Sequence, residues 1–176
     1  MDREDHRKAL VALLKLAYSG EKAAAYAYSG HWRSVRDESE KERIKQIEQE
    51  EWEHRAIVGE MLEKLGEKPQ FWRELLMGFV GKSASLGCFI TGWFLPMYFA
   101  GKLENDNVRE YDTAAFHAHE IGMDEFTPML KAMSRTEVEH ELYFSGKARG
   151  YKLLPLAKFF IRWDPEIVYL TASREL

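Results

Sequence analysis

Residues 44–65 read IKQIEQEEWEHRAIVGEMLEKL, and this stretch decides the fold. Its apolar residues recur every three or four positions, which predicts an amphipathic helix with one buried face. The same face carries Glu51 and His54, which stand three residues apart and therefore project to the same side of the helix. A Glu-x-x-His pair on a helix can hold one metal ion, but glutamate is common here, so one pair alone is a weak signal.

A second pair, Glu137 and His140, makes the pattern stronger because of where two further glutamates stand. Glu21 lies 30 residues before Glu51, and the midpoint falls beside a turn predicted at 36–37. Glu104 lies 33 residues before Glu137, and that midpoint falls beside a turn predicted at 122–124. Two antiparallel helices joined at each turn would bring each pair of glutamates to the same height, roughly 22 Å from the first turn.

The rest of the chain also indicates helices and no strand. Glu21 lies on an apolar face, where an unpaired carboxylate is costly to bury. We find no linker-like or low-complexity stretch, so residues 1–176 are predicted to form a single domain. The first helix is expected over 7–35, and the second from a capping signal at 37–40 to Leu65. Residues 71–121 should form a short helix and then a long one with a break near Pro96. A helix from an N-cap at Thr127 to Gly150 and a short amphipathic piece over 156–163 should follow.

Together these features predict an all-α, ferritin-like four-helix bundle with one long crossover and extra short helices. One Glu from each of two helices and a Glu-x-x-His from each of the other two is the ligand set of ferritin-like di-iron and di-manganese proteins. Hard oxygen donors with two imidazoles suit iron, with manganese as the second choice. Glu110 is an alternative to Glu104. The predicted metal ligands are Glu21, Glu51, His54, Glu104, Glu137 and His140.

With these residues in place, the chain resembles the demethoxyubiquinone hydroxylase family, from about Leu13 to its end. The resemblance rests on the two Glu-x-x-His motifs, on Glu104 followed by Tyr111, and on two further segments, Gly20–Gly30 and Val168–Leu176. Two positions depart from the family's pattern: Glu110 stands where the family tends to have His, and His31 where it tends to have Gln. Both bear on the substrate more than on the metal site.

The resemblance implies an O₂-dependent di-iron monooxygenase that hydroxylates a quinone or quinol precursor in ubiquinone biosynthesis. Two iron ions would be the cofactor and O₂ the co-substrate. Tyr111 would position the substrate or relay an electron. A hydrophobic quinone-like small molecule would be the ligand, and a homodimer is compatible with this class.

Composition narrows the partners and the compartment. The net charge of −4 and the pI of about 5.9 predict no nucleic-acid partner. Cys88 stands alone, so no internal disulfide forms, and we read no export signal, which together favour the cytoplasm. Residues 83–101 carry no charge, and we expect a buried helix with one face available for peripheral contact with the inner face of the membrane. Residues 156–163 would add a second contact. The alternatives are a purely internal helix, a dimer interface and, as the least favoured, a true membrane span.

Other functions remain open at this point. One is a different ferritin-like di-iron oxidoreductase with another substrate. Another is an iron-storage or peroxide-handling protein of the ferritin or rubrerythrin type. A helical interaction protein without metal is a further alternative, and it predicts no stoichiometric iron.

Overall fold

The structure, a computed structural model, describes residues 1–172, and side chains are described as far as Val168. Within this range the chain forms helices joined by short turns and contains no strand. The helices are α1 (Arg3–Ser34), α2 (Glu38–Lys64), α3 (Phe71–Cys88), α4 (Phe94–Glu120), α5 (Phe126–Ala148), α6 (Leu154–Ile161) and α7 (Pro165–Ala172). The predicted all-α fold is therefore confirmed, whereas no observation tests the prediction of a single domain.

Four long helices, α1, α2, α4 and α5, make the bundle. The helices of each hairpin, α1 with α2 and α4 with α5, pack along each other, and α1 also packs against α4. The connection from α2 to α4 contains α3, which lies against α1, as expected for a bundle with one long crossover. At the other end of the chain, α7 packs against α5.

The ends of the first two helices follow from their capping residues. Asp2 caps α1 and forms a capping box with Asp5, so α1 begins at Arg3 and not at residue 7 as predicted. Asp37 accepts a hydrogen bond from the backbone N–H of Glu40 at 3.0 Å and begins α2 where expected. Beyond α2, Gly66 takes a left-handed conformation with φ of 70°.

The crossover differs from its prediction in two ways. First, α3 is a helix of 18 residues, not a short one. Second, the chain breaks at residues 89–93, where Gly92 has a φ of 76°, so 83–101 is the end of one helix and the start of another, not a single helix. Pro96 lies in the first turn of α4, where its missing N–H costs no intrahelical hydrogen bond.

Two later boundaries were also predicted incorrectly. Thr127 does not cap α5, because α5 begins at Phe126 after Glu125, whose side chain makes no capping hydrogen bond. The buried Phe126 ring and the bond from its N–H to the carbonyl of Met123 (2.9 Å) start the helix earlier. Similarly, α6 begins at Leu154, two residues before the predicted piece. Of the predicted C-terminal segment, residues 173–176 lie outside the described part of the chain.

Two apolar clusters stand at either end of the bundle core and leave a polar layer between them. Leu10, Leu14, Met61 and Phe126 belong to one cluster. Tyr28, Ile47, Met97 and Phe144 belong to the other. The polar layer is thereby shielded from water, which strengthens every electrostatic interaction within it.

Small residues hold α3 close to α1. A Cβ at Gly81 would lie 2.5 Å from the carbonyl oxygen of Ala23, and a Cβ at Gly30 would lie 2.3 Å from the carbonyl oxygen of Ser85. Any larger side chain at either glycine would therefore push the two helices apart. This close approach makes α3 one wall of the space beside the polar layer.

Candidate metal centre

The polar layer consists of the six residues singled out in the sequence. Glu21 comes from α1, Glu104 from α4, and the two Glu-x-x-His pairs from α2 and α5. Their side chains point inward because each follows the apolar stripe of its helix, at spacings of three and four from core residues. All are buried, and Glu51, Glu104, Glu137 and His140 have no exposed surface.

The six residues form two overlapping groups that could each hold a metal ion. One group contains Glu21, His54, Glu51 and Glu137, and the other contains Glu104, His140 and the same two glutamates. In each group the ligand atoms lie within 4.8 Å of one another. Glu51 and Glu137 are therefore shared, as bridging carboxylates between two ions would be.

The donor set fits a pair of divalent cations. Both oxygens of Glu51 and both of Glu137, together with Oε2 of Glu21 and Nδ1 of both histidines, are buried without a hydrogen-bond partner among the described residues. Unpaired buried oxygens are costly, and this cost disappears when a cation coordinates them. Four carboxylates also balance the charge of two divalent ions. Oxygen donors with imidazole nitrogens suit iron or manganese.

Two buried tyrosines each donate a hydrogen bond to a glutamate of the centre. Tyr28 on α1 donates to Oε1 of Glu104 on α4, and Tyr111 on α4 donates to Oε1 of Glu21 on α1. Helices α1 and α4 run antiparallel, and on each of them a tyrosine follows a glutamate by seven residues. The tyrosine of each helix therefore lies level with the glutamate of the other. Each terminal carboxylate is thus oriented by the tyrosine of the neighbouring helix.

The two histidines have different surroundings. Nε2 of His140 lies 2.7 Å from Oε2 of Glu50, while its Nδ1 faces Glu51 and Glu137, each at 3.4 Å. Nδ1 of His54 lies 2.8 Å from Oε1 of Glu137, but the two atoms lack hydrogen-bond geometry. This is expected for two metal-ligand atoms that point toward a common ion position. The Tyr111 ring meets the His54 ring edge-on, with 5.8 Å between their centroids.

The electrostatics of the cluster follow from burial and from crowded carboxylates. Burial raises the pKa of Glu51 and Glu104 well above the usual value, and the neighbouring carboxylates raise it further. Burial alone would also raise the pKa of Glu137, but its contacts with His140 and His54 outweigh that effect and lower it. The same contacts raise the pKa of both histidines against the effect of their burial. The cluster can therefore be neutralised by protons or by cations.

Glu110 and the other four histidines lie outside the centre. Glu110 belongs to neither group, although burial and the charge of Glu21 raise its pKa. His6 and His117 contact each other at 2.9 Å between their Nδ1 atoms, away from the six residues. His119 is exposed beside Asp124 at 3.0 Å. His31 is buried elsewhere on α1.

Sequence reasoning missed the roles of Tyr28 and Glu50. The Tyr28 hydrogen bond could have been predicted, because Tyr28 follows Glu21 at the same spacing at which Tyr111 follows Glu104. The contact of Glu50 with His140 had none, since it joins α2 to α5 and depends on how these helices pack.

Two cavities border the centre. The larger has a volume of about 470 Å³, lies between α1, α3 and α4, and includes Tyr28, which bonds to Glu104. The smaller, about 130 Å³, is lined by Glu21 and Tyr111. Leu103 lines both. A small molecule in either cavity would therefore lie beside a residue of the centre or beside its hydrogen-bond partner.

Fold and site together define an all-α helical bundle with a buried carboxylate–histidine cluster that could hold metal. Among curated proteins, the chain is similar to 3-demethoxyubiquinol 3-hydroxylase of Francisella tularensis subsp. novicida (strain U112), with 26% identity over 179 aligned positions. The alignment covers 97% of this chain and 80% of that protein. No family model and no solved structure matches the chain. The similarity suggests a distant relation to the family whose motifs the sequence resembles.

Proposed function

We propose that this protein is a di-iron monooxygenase that uses O₂ to hydroxylate a quinone or quinol precursor in ubiquinone biosynthesis. The observation that carries the proposal is the convergence of six buried ligand-type residues into two groups that share Glu51 and Glu137. The similarity to a protein named 3-demethoxyubiquinol 3-hydroxylase supports the reaction class, because it extends over almost the whole chain.

Each residue of the centre has a proposed part. Glu51 and Glu137 would bridge the two ions, Glu21 and His54 would complete one position, and Glu104 and His140 would complete the other. When bound, two ferrous ions supply electrons for the reduction of O₂ and open positions where it can be held. The protein contributes the fixed geometry and the exclusion of water.

The tyrosines would keep the terminal carboxylates in place. Burial and the adjacent carboxylates raise the pKa of Tyr28 and Tyr111 well above the usual value, so both phenols stay protonated and remain hydrogen-bond donors. Tyr111 also lines the smaller cavity beside Glu21. Tyr111 does not line the larger cavity, so it would relay an electron or position the part of a substrate that reaches the smaller cavity.

The larger cavity supports a hydrophobic aromatic ligand. Its volume lies within the usual range for small-molecule sites, and most of its lining residues are apolar. A quinone-like ring could enter between α3 and α4 and reach the Tyr28 side of the centre. A charged substrate would lose its hydration there without finding a counter-ion among the lining residues.

A membrane-facing surface is the proposed route for such a ligand. Within 83–101 and 156–163, Ile90, Phe159 and Phe160 are each more than 70% exposed. The outer face of α3 extends this surface, because Phe71, Trp72 and Phe79 are each 70% or more exposed. Within residues 1–172, no helix combines the length and the apolar character needed to cross a bilayer. We propose peripheral contact with the inner face of the membrane in the cytoplasm.

Vesicle flotation would test this contact. The variant Phe159→Ser/Phe160→Ser should bind anionic phospholipid vesicles several-fold more weakly than the unmodified chain. The control His119→Ser, exposed at the C-terminal end of α4, should bind them unchanged. A homodimer that is lost in the same variant, with no vesicle binding by the unmodified chain, would assign this surface to a second copy.

An isotope experiment tests the reaction. The iron-loaded protein, given a short-chain 3-demethoxyubiquinol, a reductant and ¹⁸O₂, should yield a product heavier by one ¹⁸O atom, as measured by mass spectrometry. Uptake of iron far beyond two ions, or turnover of peroxide without a labelled product, would contradict the hydroxylase and favour an iron- or peroxide-handling protein.

A further inference from the structure

The larger cavity is apolar except at four positions, and three of these have their polar hydrogen committed. The hydroxyl of Tyr28 donates to Glu104. The thiol of Cys88 donates to the carbonyl of Ala84 at 3.3 Å, and the hydroxyl of Thr91 donates to the carbonyl of Gly87 at 2.9 Å. The fourth residue is His31. Among the described lining residues, His31 is the one whose side chain holds a buried polar atom without a hydrogen-bond partner.

His31 is buried without a partner for Nε2. Its side chain is 2% exposed, and Nε2 makes no hydrogen bond within the described residues. The ring is held against two aromatic neighbours that also stack on each other, since its centroid lies 5.9 Å from that of Phe144 and 6.3 Å from that of Tyr28. A buried polar atom without a partner costs free energy, and a ligand that supplies the partner recovers it.

The charge state of His31 suits a neutral polar ligand. Burial lowers the pKa of its imidazole to about 4, so the ring is neutral at physiological pH. A neutral imidazole has one N–H donor and one acceptor nitrogen, and either can serve depending on the tautomer. It can therefore donate to a ring carbonyl or accept from a ring hydroxyl, whereas it offers no charge to an anion.

We propose that His31 is a specificity-determining residue, which selects aromatic ligands that carry a ring hydroxyl or carbonyl over purely apolar rings of the same shape. The inference deepens the proposed function and rests on it for the class of substrate. Selection arises because an apolar ring would leave the imidazole nitrogen buried and unpaired, whereas a quinol or quinone would pair it. Tyr28 links this contact to the centre, because it stacks on His31 and donates a hydrogen bond to Glu104.

The test compares two probes that differ only in their polar groups. Methylhydroquinone and 1,2,4-trimethylbenzene have the same shape, with hydroxyls exchanged for methyls. Their dissociation constants are measured anaerobically by NMR titration on the protein as purified, without added iron, so that the result does not depend on metal binding. His31→Phe keeps a ring against Tyr28 and Phe144 but removes the nitrogen atoms.

We expect His31→Phe to bind methylhydroquinone roughly tenfold more weakly and trimethylbenzene within about twofold of the original affinity. His31→Gln, which restores a polar group, should recover part of the loss, and His119→Phe should change neither constant. Ala84→Phe, which adds bulk at an exposed position lining the cavity, should weaken both probes and so locate them there.

Two results would overturn the inference. One is equal loss of both probes in His31→Phe, which would indicate a role in packing only. The other is failure of methylhydroquinone to bind, or binding that Ala84→Phe leaves unchanged. Failure of iron to bind would overturn the proposed function but would leave these constants unaffected, so the two failures are distinguishable.

Discussion

The two halves of the candidate metal centre have the same types of side chain but different support. On one side, His140 is fully buried and its outer nitrogen contacts Glu50, which is itself held by Arg43 at 3.2 Å and Gln46 at 2.8 Å. On the other side, His54 is 5% exposed and contacts the edge of Tyr111. A carboxylate behind a ligating histidine fixes its orientation and raises its basicity.

Two positions with the same types of side chain can therefore differ in how firmly those side chains are held. The His140 side would hold an ion more firmly, since its histidine is fixed by the carboxylate of Glu50. The His54 side borders the smaller cavity directly through Glu21, whereas Tyr28 stands between Glu104 and the larger cavity. We infer that the two ions bind with different affinities, the tighter one beside His140.

The largest effect should come from removing what the two halves share. Glu51→Gln takes one carboxylate from both positions, so we expect a loss of more than 100-fold in affinity for both ions, measured by anaerobic ferrous titration. Glu53→Gln, two residues away and exposed, is the matched control and should bind like the original protein. Loss of a single ion in Glu51→Gln would mean that Glu51 does not bridge.

Substitutions of the terminal glutamates should separate the halves. Glu21→Gln should remove the weaker ion and leave one tight ion per chain, whereas Glu104→Gln should remove the tighter one and leave one weak ion. Both follow because each glutamate belongs to one group only. Titration with metal analysis distinguishes the two variants, and identical titration curves would contradict the proposed difference in affinity between the two positions.

Glu50→Gln should weaken one ion alone. Second carboxylates behind ligating histidines are worth about 10- to 100-fold in metal affinity. We expect a loss of that size at the tighter site and no change at the weaker one, so that the two affinities approach each other. An equal loss at both sites would argue that Glu50 acts on the bundle and not on His140.

The tyrosine hydrogen bonds should give the smallest effects. Tyr28→Phe and Tyr111→Phe each remove one hydrogen bond to a carboxylate that belongs to one group only, a net loss of about 1 kcal/mol. We expect a few-fold weaker binding at the Glu104 position for the first and at the Glu21 position for the second. Exchange of these two assignments would contradict the crossed pairing. Thermal unfolding of both variants serves as the check on folding.

The sequence predicted the bundle and the meeting of the six residues because both depend on local helical geometry. The spacing of Glu21 from Glu51, and of Glu104 from Glu137, needs only the rise per residue and the position of a turn. Metal binding itself stays a prediction. The break of the crossover at Gly92 was placed at Pro96 instead, because a proline in the first helical turn is easily mistaken for a break.

Contacts between distant helices were beyond such reasoning. The bond of Glu50 to His140 and the free nitrogen of His31 depend on which side chains the packing brings together, and neither has a fixed spacing in the chain. The exposed face of α3 was missed for a related reason. An apolar helix in a crossover has the same pattern whether its second face meets the bundle or the solvent.

The most direct test of the proposed di-iron centre is an anaerobic ferrous titration of the unmodified chain and of Glu137→Ala, followed by exposure to O₂. We expect two irons per chain, bound with different affinities, and a near-ultraviolet to visible absorption band of diferric iron that Glu137→Ala lacks. No stoichiometric iron in the unmodified chain, or iron binding that is the same in Glu137→Ala, would contradict it.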